Sequence, residues 1–369
     1  MKTALPLMQS ILLAGTVAIA LPPSWSAEKR SPQPVTCLKG FDPVALTQGR
    51  EVPGKTDIAV AHGRYRYLFS SQENKSAFES HPDRYEIQLG GGCGRMGPLS
   101  GLGSPDRFWV HDRRIYVFAS DQCMNSFKAA PDKHIESDDP PPTGSGADLQ
   151  RGLELVDRAL AGFGGAASVD SITSLELKRV RAYKADGEDK EQATFNRMIF
   201  PDRFRLDEVW HNGAVHDFVR FDTGFRVASD GAWPMDELVR REFIKSFRRN
   251  PLVLLKARKE PGFRAVAAGI GKIGEHGVEW LALGLDGANC TLGIEVATGR
   301  VLGIRYRGRA PSAIGDVVRT FSDFRNVDGV NVPFAVATSF NDAAASEPRL
   351  YAAVRVNPKF DPGLFASPE

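Results

Sequence analysis

Four cysteines and seven histidines have the most scope for chemistry in this chain. Cys37, Cys93 and Cys123 fall in the first third, and Cys290 stands apart. Cys93 lies in Gly92-Cys93-Gly94-Arg95-Met96, and Cys123 follows Ser120 at an expected helix start. Thiolates select soft or borderline metals, and a closed zinc site takes four ligands. Cys93, Cys123, Cys37 and His111 are the candidate ligands for such a divalent metal, with Met96 as a supplement. The other use is a disulfide. In an oxidising compartment two of the three early cysteines would pair. A Cys93–Cys123 bridge would contribute roughly 3.5 kcal/mol by loop entropy. The six Met and seven His are scattered, which argues against copper as cargo. Cys290 alternates with Leu292, Ile294 and Val296 and reads as a small buried hydrophobe.

Hydrolytic and phosphate-binding patterns are missing from the sequence. It holds no G-x-S-x-G, H-E-x-x-H or Walker pattern. Glu275 and His276 are adjacent without the spacing of a metalloprotease helix, and Asp138-Asp139 falls in a Pro-rich stretch. Gly90 to Gly103 lacks the Lys-Ser/Thr ending of a phosphate loop and reads as a flexible link. A non-enzymatic protein is the expectation.

The elements around the cysteines are duplicated. Residues 54–85 align without a gap on 103–134, with ten identities in 32 positions, among them His62/His111, Tyr67/Tyr116, Phe69/Phe118, Ser71/Ser120 and Phe78/Phe127. Each copy predicts a strand ending in an aromatic pair, a Ser helix cap, and a short helix with one buried Phe ending before Pro-Asp. One such unit has too little apolar surface to fold alone, whereas two can share a core. His62 and His111 read as inherited turn residues.

The unit over 35–137 resembles the YHS/TRASH-like domain. The carrying residues are Phe41-Asp42-Pro43-Val44-Ala45, Tyr67-Leu68-Phe69-Ser70-Ser71 with Asn74 and Phe78, then Pro82 and Tyr85. The second copy supplies Tyr116-Val117-Phe118-Ala119-Ser120 with Cys123, Phe127 and Pro131. The resemblance implies metal handling through cysteines near the helix start. Cys93 and Cys123 occupy family-like positions, whereas Ala45 and FSSQEN replace the cysteines of metal-binding members.

Residues 138–147 read as a Pro/Ser/Gly linker. Leu149, Leu153, Val156 and Leu160 then mark an amphipathic helix. From Ile172 onward short strands and turns dominate, interrupted by a helical stretch over about 235–258 that Pro251 should break. The expected architecture is α+β: the duplicated unit, then a curved antiparallel sheet over 148–369, an incomplete barrel packed on helices.

The order of motifs in 148–369 resembles the LolA/LppX-like lipoprotein-localisation superfamily. These motifs are AGFGG, Phe200-Pro201-Asp202-Arg203-Phe204, Asp230-Gly231-Ala232-Trp233, Thr298-Gly299-Arg300, Phe321-Ser322-Asp323-Phe324, Val327-Asp328-Gly329 and Val356-Asn357-Pro358. The resemblance implies an apolar concave face that holds a hydrophobic or lipid-like ligand. Phe195, Phe204, Phe218, Phe221, Trp233 and Phe334 are the candidate lining. Arg240, Arg241, Arg248 and Arg249 lie in a locally cationic stretch that either contacts anionic headgroups or is a solvated helix face.

Composition sets the remaining bounds. Apolar residues make up 42%, charged residues 25%, and the net charge is +2, so nucleic acid is not an expected partner. Met1-Lys2, the apolar run Ile11–Leu21 and the small residues up to Ala27 predict a signal peptide over 1–26. The run is too short for a stable membrane span, which needs about 20 residues. The expectation is a periplasmic or secreted carrier with a hydrophobic ligand and an envelope protein as possible partner. The alternative is a periplasmic metal-handling protein.

Overall fold

The computed structural model describes residues 33–135, 139–220, 222–228, 231–310 and 313–366. The expected signal peptide and Phe221 lie outside the described residues. The chain opens with β1 (Val35–Thr36), α1 (Pro43–Thr47), β2 (Lys55–His62), β3 (Tyr65–Phe69), α2 (Gln72–Ser80) and α3 (Pro82–Tyr85). It then repeats as β4 (Ser104–His111), β5 (Arg114–Phe118), α4 (Asp121–Ala129) and α5 (Asp132–Ile135). Both hairpins shift register at the same place, between Lys55 and Ala59 and between Ser104 and Phe108. Ser71 caps α2 by accepting from the Asn74 N–H, and Ser120 caps α4 by accepting from the Cys123 N–H. Phe78 and Phe127 fill the two small cores, against Phe69 and Phe118 at 5.4 and 5.2 Å.

The repeat reaches further upstream than the gapless alignment. Leu38–Gly40 and Leu89–Gly91 make the same left-handed turn. Thr36 lies parallel and opposite to Arg66, and Ile87 to Ile115. The segment expected to be a flexible link is therefore the second copy's own first turn, and Gly91 to Gly94 are buried. Where the first copy has α1, the second makes a turn over 94–96.

Part of the expected linker is held fast. Asn289 Nδ2 donates to the Asp139 carbonyl at 2.7 Å, and the Arg307 N–H donates to Asp139 Oδ2 at 2.5 Å. Helix α6 (Gly146–Gly162) starts on a reciprocal cap between Ser145 and Asp148. Then come α7 (Ala166–Asp170), β6 (Ser174–Ala185), β7 (Glu188–Ile199), β8 (Arg203–Trp210), β9 (Gly213–Val219), β10 (Gly224–Ala228) and β11 (Gly231–Pro234). Two helices interrupt the strands: α8 (Glu237–Arg248) and α9 (Pro251–Lys256). Pro251 is the first residue of α9, and the Asn250 side chain accepts from the Leu252 N–H, so the break falls where proline demands it.

The strands resume as β12 (Arg264–Ile273), β13 (His276–Gly284), β14 (Cys290–Glu295), β15 (Val301–Ala310), β16 (Ala313–Val327), β17 (Val330–Phe340) and β18 (Arg349–Val356). β6 to β18 form one curved antiparallel sheet of 13 strands, not closed into a barrel, with β11 and β12 at its two ends. Leu155, Leu160, Phe243, Phe247, Leu252 and Leu255 of the helices share one buried cluster with Leu175, Met198, Leu281, Leu292 and Ile304 of the sheet. Each such side chain contributes roughly 1.5–3 kcal/mol on burial. That side is the core face of the sheet. Helix α6 sits flush on it. A Cβ at Gly152 would stand 2.4 Å from the Ala265 carbonyl oxygen, and one at Gly162 would stand 2.2 Å from that of Gly299.

Candidate functional site

Strand alternation carries the core face beyond the helices. Leu175, Leu177 and Arg179 follow each other on β6, and Tyr351 lies opposite Arg179. On β16, Arg319 lies opposite Ile304, and Val317 lies opposite both Tyr306 and Phe340. Arg179, Arg319, Phe321, Phe340 and Tyr351 are all half-buried, and the three aromatic rings pack against the edge of the core. The Arg179 guanidinium stacks 4.4 Å from the Tyr351 ring centroid and donates to the Tyr351 hydroxyl at 2.6 Å. Arg319 stands 5.4 Å over Tyr306. Arg179 Nε is buried without a hydrogen-bond partner. Among the described residues neither guanidinium is paired with a carboxylate.

Other charges on this face satisfy one another. Arg226 donates twice to Asp217, at 2.7 and 2.9 Å. Gln192 donates to Glu208 at 3.4 Å, and burial, with Asp217 nearby, pushes the Glu208 carboxyl up from its ordinary value. The sheet thus presents an apolar floor, a polar border whose groups bond one another, and two arginines that have no counter-anion among the described residues. Such a surface suits an elongated apolar molecule with an anionic head.

The candidate lining separates into three groups. Phe204, Trp233 and Phe334 are on the core face but covered: Phe204 by Phe247 at 5.3 Å, Trp233 by Arg64 at 4.4 Å and Phe334 by Arg325 at 4.3 Å. Phe195 and Phe218 point to the opposite face. Phe195 packs under Arg197 and Lys178, and Phe218 against Phe365. Phe221 lies outside the described residues. Apolar residues occur on both faces of these strands, so their identity alone did not choose a face.

The cationic stretch also divides. Arg248 is buried between Glu260 (2.6 Å) and Asp286 (2.8 Å), and Arg249 is buried over the Tyr306 ring, so neither is presented to a headgroup. Arg241 is exposed and Arg240 half-buried. Arg179 and Arg319 were missed in the sequence. Their only signal is an arginine on the apolar phase of a strand, as in Leu175, Leu177, Arg179.

The cysteines occupy separate clusters. Cys93 and Cys123 share one small core, while Cys37 belongs to the first copy's core. His111 turns its edge onto Phe127 at 6.0 Å. Among the described residues no group of three or more His, Cys, Asp or Glu could hold a metal ion. Two thiols do not fit a closed zinc site. All four cysteines are free thiols here, so no Cys93–Cys123 bridge is formed. Burial raises the Cys123 thiol, but the Ser120 hydroxyl, Arg95 and the Cys93 thiol outweigh it and bring it below the ordinary value. Burial pushes the Cys290 thiol up to about 12.

No family model matches the chain, and no curated protein matches it. Solved structures do. A LolA-superfamily protein from Nitrosomonas europaea is 8% identical, spans 58% of this chain and 97% of its own, and has a TM-score of 0.40. A DUF1329-family protein from Desulfovibrio piger is 9% identical over 59% of this chain and 97% of its own, at 0.39. A domain from Vibrio parahaemolyticus, described as an outer membrane lipoprotein-sorting protein domain, is 10% identical over 59% and 97%, at 0.38.

Proposed function

We propose that this chain is an exported, non-catalytic binding or carrier protein for an amphipathic ligand with an apolar body and an anionic head. The observation that carries it is two half-buried arginines at the edge of the apolar core, Arg179 stacked on Tyr351 and Arg319 over Tyr306, each without a carboxylate partner among the described residues. The apolar floor removes the ligand's chain from water, and a guanidinium group meets its head. The order of turn motifs that resembles LolA/LppX-like proteins supports the same reading. The expected signal peptide supports a periplasmic or secreted location, where an envelope protein would deliver or receive the ligand. The duplicated N-terminal unit, with its YHS-like residues, is an accessory: Arg64 covers Trp233 at the β11 end of the sheet.

Two fluorescent probes of equal chain length test this, one a long-chain carboxylate and one the matching alcohol. The full chain should bind the carboxylate more tightly. Arg179→Ala should weaken carboxylate binding about tenfold, the scale of one charge-assisted bond, and leave the alcohol unchanged. Equal loss for both probes would remove the headgroup role of Arg179, and no binding of either would remove the proposal.

A further inference from the structure

The two copies of the N-terminal unit build the same joint from different atoms. In the first, Asp42 Oδ2 accepts from the Ser70 N–H and from Asn74 Nδ2, each at 2.7 Å, tying the strand end to the start of α2. In the second, Cys93 stands where Asp42 does and Cys123 where Asn74 does. Ala119, the counterpart of Ser70, directs its N–H at Cys93 Sγ from 3.4 Å. Cys93 and Cys123 lie in one small buried cluster with Tyr116, Phe118 and Phe127. A carboxylate–amide bond in one copy is a dithiol in the other.

The surroundings of the dithiol are also particular to the second copy. Arg95 Nη1 lies 4.0 Å from Cys123 Sγ, and Arg95 Nε is buried without a hydrogen-bond partner. Cys123 is in the first turn of α4, where the backbone N–H groups favour an anion. It is the most exposed of the four thiols, at 7%, while Cys93 behind it is at 0%. One thiol is slightly exposed beside a cation, and the second is fully buried in the same cluster.

We propose that Cys93 and Cys123 form a thiol–disulfide exchange site that acts on an external disulfide, with Cys123 attacking and Cys93 resolving. The Cys123 thiolate attacks one sulfur of the external disulfide. Its S–S bond breaks, a mixed disulfide forms at Cys123, and the first thiolate leaves. Cys93 then attacks Cys123 Sγ, and its proton passes to the departing thiolate. The mixed disulfide breaks, the Cys93–Cys123 bond forms, and the second thiolate leaves. Two protein thiols are oxidised, and the external disulfide takes both electrons and becomes two thiols. Arg95 holds the attacking thiolate. The proposal is independent of the carrier reading.

The test uses the full chain, reduced and then equilibrated with glutathione at graded ratios of oxidised to reduced form. Peptide mapping after thiol alkylation should find one internal link, Cys93 to Cys123, with Cys37 and Cys290 still reduced. Cys93→Ser should accumulate glutathione on Cys123, and Cys123→Ser should accumulate none on Cys93. Arg95→Leu should slow the mixed disulfide at Cys123 about tenfold, with Arg95→Lys recovering most of the rate. A native chain that forms no Cys93–Cys123 link at any ratio would overturn the proposal. So would a Cys93→Ser chain, folded by circular dichroism, that takes glutathione on Cys37 or Cys290 and not on Cys123.

Discussion

Replacing Arg197 with methionine is expected to cost roughly 3–5 kcal/mol of stability, the scale of breaking a buried ion pair from one side. Arg197 lies on the face of the sheet opposite the core face and is almost fully buried. Its Nε donates to Glu176 Oε2 at 2.7 Å, and its Nη1 donates to Asp207. Asp207 also accepts from Arg205 at 2.7 Å and bonds His216 at 2.6 Å. The C-terminal segment covers this cluster, since Arg205 donates to the Leu364 carbonyl and Phe365 packs on Phe218. Removing Arg197 leaves two buried carboxylates short of a counter-charge. The exposed pair Lys184–Asp189, 2.8 Å apart, is the contrast. Lys184→Ala should change stability by no more than about 0.5 kcal/mol, because solvent screens that pair. Urea unfolding of both variants decides. A similar small loss in each would mean that the buried cluster does not hold the sheet.

The same cluster fixes a pH dependence. Burial raises the Asp207 carboxyl, and His216, Arg205 and Arg197 outweigh it, so its folded value is depressed. A depressed carboxylate contributes stability above its unfolded value of about 4 and loses it as acid protonates the folded form. The native chain should therefore weaken below about pH 4, and Arg197→Met should flatten that slope.

Asp42→Ala is expected to be the second large loss, about 3 kcal/mol or more, since each buried donor left unmet costs about 1–3 kcal/mol. Asp42 is fully buried. Its Oδ1 accepts from the Val44 and Ala45 N–H groups at 2.9 and 3.1 Å, capping α1. Its Oδ2 accepts from the Ser70 N–H, the Ser70 hydroxyl and Asn74 Nδ2, each at 2.7 Å. Hydrogen exchange should localise the loss, with the amides of Val44, Ala45 and Ser70 exchanging faster. A change under about 0.5 kcal/mol, with those amides still protected, would show that Asp42 is not the joint of the first copy.

These residues also show what the sequence could reveal. The gapless run from 54 to 134 made the duplication legible because strand, cap and buried Phe recur at one offset. The pairing of Asp42 with Cys93 was not legible. It lies upstream of a two-residue length difference, and the shared feature there is a left-handed turn at Leu38–Gly40 and Leu89–Gly91 rather than a run of identities. Alternation in the large domain located most strands. It did not choose faces, because Phe195 lies under Arg197 and Phe218 packs on Phe365 on one face while Phe204 joins the core on the other. Pro and Gly in 138–147 signalled a connection. They did not reveal that Asp139 is bonded to both Asn289 and Arg307, which depends on pairings 150 or more residues away.

Native mass spectrometry of the full chain, purified without detergent, tests the carrier reading most directly. The expected result is a bound amphiphile with an acidic head, released on denaturation and reduced in occupancy by Arg179→Ala. A chain that carries no such molecule, and that takes up no long-chain carboxylate when one is supplied, would contradict it.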